Sequence, residues 1–325
     1  MPLSIRCATF NLRYDSKPDS KSVKDSLAAL PSPLDKPSKW YDNPERERPW
    51  SERRIRVWQQ LSGEQLDVIG FQESLHRQTH DLDELLNRDE PGSWRWVGVG
   101  RDDGEMQGEY SPIFWRTSRF DMVSWDTFWL SKTHKKPSKF PGAGSVRLCT
   151  VVRLRSKDNG GLISVLNTHL DDQSEPQRRY GASMLRHRAL YEEQVYGSSV
   201  VLFGDFNSPP DRSSDSGAYL IATGALSPVD LDSAFTKEFE VPASTPRFTL
   251  LDFRGETPAE AIHGHFATYT DWSQVRSTGP YNRIDFIFGG SGSGWRSVLF
   301  KTRENLTDDG VYSSDHRLVV AHLEL

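Results

Sequence analysis

One short run of the chain joins a strand to two polar groups aimed at a common spot. Val200-Val201-Leu202-Phe203-Gly204-Asp205-Phe206-Asn207 is a series of β-formers ending in glycine, a carboxylate and, one residue on, a carboxamide. On an extended chain, residues two apart point to the same side. Asp205 and Asn207 therefore address one point at the mouth of the strand, while Phe206 turns into the core. Pro209, Pro210 and Asp211 then break the chain into a loop. Gly-Asp turns are common after strands, so this run gains meaning only in company.

The company is there. Strand after strand stops at a polar residue: Asn11, Glu73, His169, Asp205 with Asn207, and Asp315 with His316, and Asp285 lies within one more. Turn propensity accounts for the Asn and Asp residues but poorly for Glu73 and the two histidines. No serine or cysteine nucleophile stands among them. Asn, Asp and Glu oxygens suit a hard cation such as Mg²⁺ or Mn²⁺, which keeps several waters and binds phosphate oxygen. Imidazoles stabilise charge on phosphoryl oxygens, and an aspartate orients water for in-line attack. Phosphoester hydrolysis needs that set.

The elements that must carry these groups are mostly short strands. Apolar or alternating runs predict strands at 3–12, 67–73, 94–99, 111–115, 120–130, 146–154, 162–169, 200–205, 283–288 and 318–325. Helical spacing of Ile55, Trp58 and Leu61 predicts a helix over 54–61; others are expected at 78–87 and 176–195. The polar stretch 14–50 reads as a surface insertion with Trp40, Tyr41 and Trp50 as anchors, and 208–280 as irregular. No repeat or composition break divides the chain. The expectation is one α/β domain over 1–325: two mixed β-sheets packed face to face as a sandwich, with helices on the outer faces.

Composition narrows the partners. Charged residues make up 26% of 325, with a formal charge of −5, so no global basic field draws in polyanions. Lys132, Lys135, Lys136 and Lys139 form a local basic run, read as a solvated loop in preference to a phosphate-steering patch. Cys7 and Cys149 sit in apolar strands and read as buried free thiols. The N-terminus enters a strand without a signal-peptide segment, and no run reaches membrane-spanning length. An intracellular protein, cytoplasmic or nuclear, is therefore expected, and the Asn305-Leu306-Thr307 acceptor pattern carries no weight. His263 and His265 lack the further ligands that a zinc site needs. Substrate contact or packing is the preferred reading for them. The sequence leaves the oligomeric state open.

Taken in order, Asn-Leu-Arg-Tyr-Asp at 11–15, Gly70-Phe-Gln-Glu73, Asn167-Thr-His-Leu-Asp171, Gly204-Asp-Phe-Asn207, Arg283-Ile-Asp285 and Ser314-Asp-His316 resemble the motifs of the endonuclease/exonuclease/phosphatase superfamily, the deoxyribonuclease I-like group. Each motif is weak alone; their joint order from residue 5 to 322 is specific. The resemblance implies Glu73 as principal metal ligand with Asn11 in support, and Asp315 beside the metal and its waters. It further implies that Asp205 orients or deprotonates the attacking water and that Asn207 holds the phosphate. His169 and His316 would contact phosphoryl oxygens, with Asp285 orienting His316. Tyr110 and Arg101 are added as candidate phosphate contacts from a charge-matched donor loop. Val99-Gly-Arg-Asp-Asp-Gly104, Gly108-Glu-Tyr110, Pro112-Ile-Phe114 and Thr127-Phe-Trp-Leu-Ser131 are similar to a subgroup of stand-alone bacterial and fungal hydrolases. Two segments depart from that subgroup: 14–50 is longer, and 132–146 is lysine-rich where an acidic, Trp-containing stretch is usual.

The resulting expectation is a divalent-metal-dependent phosphoesterase, using Mg²⁺ or Mn²⁺, with a small phosphorylated substrate favoured. A DNA or RNA nuclease is the alternative within the superfamily. A catalytically silent binding protein is the alternative from another class, disfavoured because a scaffold has no chemical need for all these groups together.

Overall fold

The computed structural model describes residues 3–30, 47–243, 247–273, 281–307 and 310–325; the anchors expected at Trp40 and Tyr41 lie outside them. Thirteen strands follow in chain order. They are β1 (Ser4–Asn11), β2 (Val68–Gln72), β3 (Trp94–Val97), β4 (Ile113–Arg116), β5 (Phe120–Trp129), β6 (Leu148–Ser156) and β7 (Leu162–His169). Then come β8 (Ser199–Asp205), β9 (Leu250–Asp252), β10 (Ile262–Gly264), β11 (Asp285–Gly290), β12 (Arg296–Thr302) and β13 (Val319–Glu324). Seven pair in the order β10-β12-β13-β1-β2-β4-β3 and six in the order β5-β6-β7-β8-β11-β9. Both sheets are mixed: β1 runs parallel to β2 but antiparallel to β13, and β8 runs parallel to β7 but antiparallel to β11.

Period-2 alternation divides the apolar residues into three layers. Val201 and Phe203 of β8 meet Ile5 and Cys7 of β1 and Val68 of β2 between the sheets. The alternate residues Val200 and Leu202 pack outward on Ala182, Leu185 and Ala189 of α4 (Glu175–Tyr196). On the other outer face, Ala8 and Phe10 meet Val57 and Leu61 of a helix over Trp50–Ser62 and Leu82 of one over His76–Leu86. With the short α1 (Val23–Ala28) before them, these two are α2 and α3. Strands and helices of this chain thus form the expected sandwich.

The differences from the sequence reading have local causes. Helix α2 begins four residues before the expected position because its first turn is polar yet buried: Arg53 and Arg54 are fully covered. Part of the expected surface insertion is ordered into α1. Its Ser22 and Asp25 form a reciprocal capping box, and Val23 packs on Ile55 and Leu85. Strand β12 was not anticipated, since its residues alternate only weakly. Within 208–280 lie α5 (Gly217–Ala222), α6 (Ser233–Glu238), β9, α7 (Phe253–Glu256) and β10. Cys7 and Cys149 are free and buried. No helix among the described residues is long and apolar enough to cross a membrane.

Candidate active site

The alternation that builds the inner core continues past it and turns chemical. Asn11 shares the inner face with Cys7, His169 with Val165, Asp205 with Phe203, and Asp285 with Ile287. Strand register aligns them: Asp205 is paired with His169 on β7 and with Asp285 on β11, and Asn11 with Gln72 on β2. Thr9 pairs with Val319, so the segment Ser314–His316 leads into β13 at the same end. The floor is a buried amide bridge, in which Gln72 Nε2 donates to Asn167 Oδ1 at 2.7 Å and Asn167 Nδ2 donates to Phe71 O at 2.7 Å. Every group of the floor is hydrogen-bonded, so the two sheets are fixed against each other beneath the site.

Above that floor is a cavity of about 550 Å³. Asn11 Nδ2 donates to Glu73 Oε1 and to Asp205 Oδ2, both at 2.9 Å, while its Oδ1 accepts from Arg13 N at 2.9 Å. Asn207 N donates back to Asp205 Oδ1 at 2.9 Å. Its side-chain nitrogen donates to Leu170 O at 3.0 Å and to His169 Nε2 at 3.1 Å. With Nε2 accepting, the His169 proton sits on Nδ1, which faces Glu109 Oε2 at 3.7 Å. His316 Nδ1 lies 2.8 Å from Asp285 Oδ2, and its Nε2 is 3.6 Å from Asp205 Oδ2, as is His169 Nε2. Three non-glycine residues here hold positive φ: Arg13 at 55°, Glu73 at 57° and Asn207 at 46°. Such backbone costs about 1–3 kcal/mol per residue and collects at functional sites.

Electrostatics separate the two histidines. Burial opposes charge on His316, but Asp285, by charge and hydrogen bond, and then Asp205 and Asp315 lift its pKa to about 10. Burial, then the Arg147 and Arg101 guanidiniums, hold His169 well below its ordinary value. One imidazole is thus a cation and the other neutral at pH 7. Burial and then Asp285 push Asp205 up to about 7, against His316. Burial raises Asp315 to about 6, with Glu73 adding to it and His316 opposing.

These strained carboxylates are the test of a metal. Ligand atoms of Glu73, His169 and Asp205 lie within 4.8 Å of one another, and Asp285 Oδ1 is buried without a hydrogen-bond partner. Crowded oxygen donors whose charge is unfavourable without a counter-ion fit a hard divalent cation. Asn11 fits less directly, because its amide nitrogen, not its oxygen, faces the carboxylates.

Of the residues named from sequence, Glu73, Arg101, His169, Asp205, Asn207, Asp315 and His316 line the cavity. Asn11 and Asp285 stand directly behind it. Tyr110 does not line it: the hydroxyl donates to Glu105 O at 2.8 Å and meets His76 Nδ1 at 3.1 Å. The lysines at 132, 135, 136 and 139 are exposed and none reaches the cavity. His265 pairs with Glu304 at 3.0 Å, and neither it nor His263 joins a cluster of three ligating groups among the described residues. Sequence reasoning missed Glu109 and Arg147. Glu109 binds Arg101 Nη1 at 2.5 Å and is pushed to about 7 by burial and Glu73. Arg147 is buried, holds Asp172 at 2.8 Å, and keeps Nε and Nη1 without hydrogen-bond acceptors beside His169. The signal for Arg147 was a lone cation at the entrance of an apolar strand. A cleft of similar size, about 530 Å³, opens at the other end of β8 by Glu193 and Arg247 and has no such set of groups.

Comparison with known proteins places this site in context. The structure of an endonuclease/exonuclease/phosphatase from Bacteroides vulgatus superposes with a TM-score of 0.72 at 27% identity, covering 99% of both chains. An endonuclease/exonuclease/phosphatase family protein from Bacteroides thetaiotaomicron does so at 0.70 and 22%, over 100% of this chain and 98% of its own. A mannosyl-6-phosphatase from the same organism shares the fold at 0.67 and 21%, over 98% and 99%. No curated protein sequence matches the chain. The sequence model of the Endonuclease/Exonuclease/phosphatase family, however, matches residues 8–316, a span holding every group of the cavity from Asn11 to His316, and the chain belongs to that family.

Proposed function

We propose that this one-domain chain is a divalent-metal-dependent phosphoesterase acting on a small phosphorylated compound. The observation that carries the reading is convergence at Asp205: Nε2 of neutral His169 and Nε2 of cationic His316 each stand 3.6 Å from the carboxylate that Asn11 and the Asn207 N–H orient. In the reaction, Asp205 holds the attacking water and accepts its proton. His316, charged through Asp285, and the Asn207 amide stabilise the non-bridging oxygens as negative charge builds. His169 presents a neutral ring to the same group. Glu73, Asp205 and Asp315 would hold Mg²⁺ or Mn²⁺, which supplies Lewis-acid stabilisation of phosphoryl charge when bound. A small substrate is supported by a cavity within the usual range for small-molecule sites and by the net charge of −5. The mannosyl-6-phosphatase resemblance points the same way.

The test is phosphate or alcohol release with Mg²⁺, Mn²⁺ or EDTA. The panel is bis-p-nitrophenyl phosphate, p-nitrophenyl phosphate, sugar phosphates, single-stranded DNA and RNA. Turnover of small esters that EDTA abolishes is expected, and Asp205→Asn should lower it by about 10²–10⁴-fold with the fold retained. Preferential polymer cleavage makes the protein a nuclease instead. Turnover that survives Asp205→Asn removes the site assignment.

A further inference from the structure

Most buried arginines of this chain are bound to carboxylates: Arg54 to Asp81, Arg153 to Glu192, Arg188 to Asp126 and Arg283 to Asp252. Arg53 differs. It is fully buried, and among the described residues no carboxylate comes within ion-pair distance of it. Its guanidinium is spent on main-chain carbonyls. Nε donates to Arg48 O at 3.0 Å, Nη1 to Leu12 O at 2.7 Å and Ser313 O at 3.0 Å, and Nη2 to Arg13 O at 3.0 Å. The rings of Trp50 and Trp272 lie 5.4 and 5.5 Å from its central carbon. Burying a cation without a bonded counter-ion is costly, so its place needs a reason beyond packing.

The carbonyls it holds supply one. Leu12 and Arg13 follow Asn11, and Ser313 precedes Ser314-Asp315-His316; Arg53 pins both turns at once. Gln78 Nε2 shares the Arg13 carbonyl at 3.0 Å, which fixes Arg13 in its left-handed conformation. That turn delivers Tyr14 N to Glu73 Oε2 at 3.2 Å. On the other side, Ser314 Oγ donates to Asn11 O at 2.7 Å, tying the same two turns a second time.

We propose that Arg53 is a positioning residue for the cation site, holding the Asn11–Tyr14 turn, which contacts Glu73, against the Ser313–Asp315 turn, so that Glu73 and Asp315 both face the one cavity. The inference rests on the metal-site reading above. A planar fork of five N–H groups can span carbonyls from separate turns; an ammonium, with three hydrogens on one nitrogen, cannot.

The experiment titrates Mn²⁺ calorimetrically into substrate-free protein, comparing wild type, Glu73→Gln, Arg53→Lys and Ser314→Ala, with melting in EDTA as a separate measure of folding. Arg53→Lys should weaken Mn²⁺ by about 10–100-fold, as partners behind metal ligands do. Ser314→Ala cuts the second tie but also the Oγ contacts with Asp315 Oδ1 at 3.2 Å and His316 N at 3.1 Å, so its shift, expected in the same direction, is read only beside that of Arg53→Lys. If both bind Mn²⁺ like wild type, even with lower melting temperatures, Arg53 is only a structural clamp and the proposal is wrong. If wild type binds no Mn²⁺, or Glu73→Gln binds as well as wild type, the metal-site reading itself fails and takes the inference with it.

Discussion

His316 Nδ1 lies 2.8 Å from Asp285 Oδ2, and both side chains are buried. The contact keeps a proton on His316 up to about pH 10, against an ordinary value of 6.5. Between those limits the folded chain holds a proton that the unfolded chain has released, so this pair stabilises the fold fully below pH 6.5. That contribution is lost as pH rises through 10. Asp285→Asn should therefore melt well below wild type at pH 6 and converge on it by pH 10. The alkaline limb of kcat/KM should move down by about one pH unit or more. Parallel melting curves at all pH values would show that Asp285 does not charge His316.

The acids of the site predict opposite pH trends for the metal-free and metal-bound protein. Asp205 and Asp315 titrate at about 7 and about 6 when no cation is present, above the ordinary 3.8. From pH 8 down to 4 the metal-free fold thus takes up protons that the unfolded chain does not, and these two groups make it more stable as pH falls. The same protons compete with the cation, so Mn²⁺ affinity should fall by up to about tenfold per pH unit per competing proton below pH 7. Calorimetric titration at pH 6 and 8, with melting in EDTA at each pH, checks both signs. Equal affinity at the two pH values would remove these carboxylates from the metal site.

Groups of the site were legible in sequence where a strand stops. Asn11, His169, Asp205 and Asp285 sit on the period-2 face that also builds the inner core, so one alternation encodes packing and chemistry together. Glu73 and Asn207 lie one and two residues beyond a strand end, at positive φ, and their direction depends on turns that no periodicity reveals. Glu109 and Arg147 were hidden for another reason. They enter from the β3–β4 loop of one sheet and the start of β6 in the other, and meet beside His169 only once the two sheets pack face to face. The polar, buried first turn of α2 obscured Arg53 in the same way.

Tyr110 and Arg147 make a contrasting pair of variants. Tyr110 turns its hydroxyl to a main-chain carbonyl and His76, away from the cavity. Tyr110→Phe should cost about 1 kcal/mol of stability and leave kcat/KM nearly unchanged. Arg147 lies beside His169 with Nη1 3.9 Å from Glu109 and Nε 3.5 Å from Asp171, neither in a hydrogen bond, whereas Asp171 is already held by four main-chain N–H groups. Arg147→Met should fold and lose about 10²-fold in kcat/KM, the scale for removing a donor aimed at developing charge. Steady-state kinetics and melting of both proteins decide the matter; the reverse ranking would restore Tyr110 to the site.

Gly70 tests how tightly the two sheets are set beneath the site. It lies on the inner face of β2, and an added Cβ would stand 2.7 Å from Phe203 Cδ2 and 2.9 Å from Asn167 Cγ and Oδ1. Neither neighbour is free to yield. Phe203 is in the inner core, and Asn167 is fixed by Gln72, Phe71 O and Pro112 O. Gly70→Ala should destabilise the fold by about 1–3 kcal/mol, the usual cost of overpacking a full core. Because the displaced Asn167 lies two residues before His169, activity per folded molecule should fall as well. Denaturant unfolding with active-site titration separates the two effects, and a variant as stable and as active as wild type would show that the sheets can part without disturbing the site.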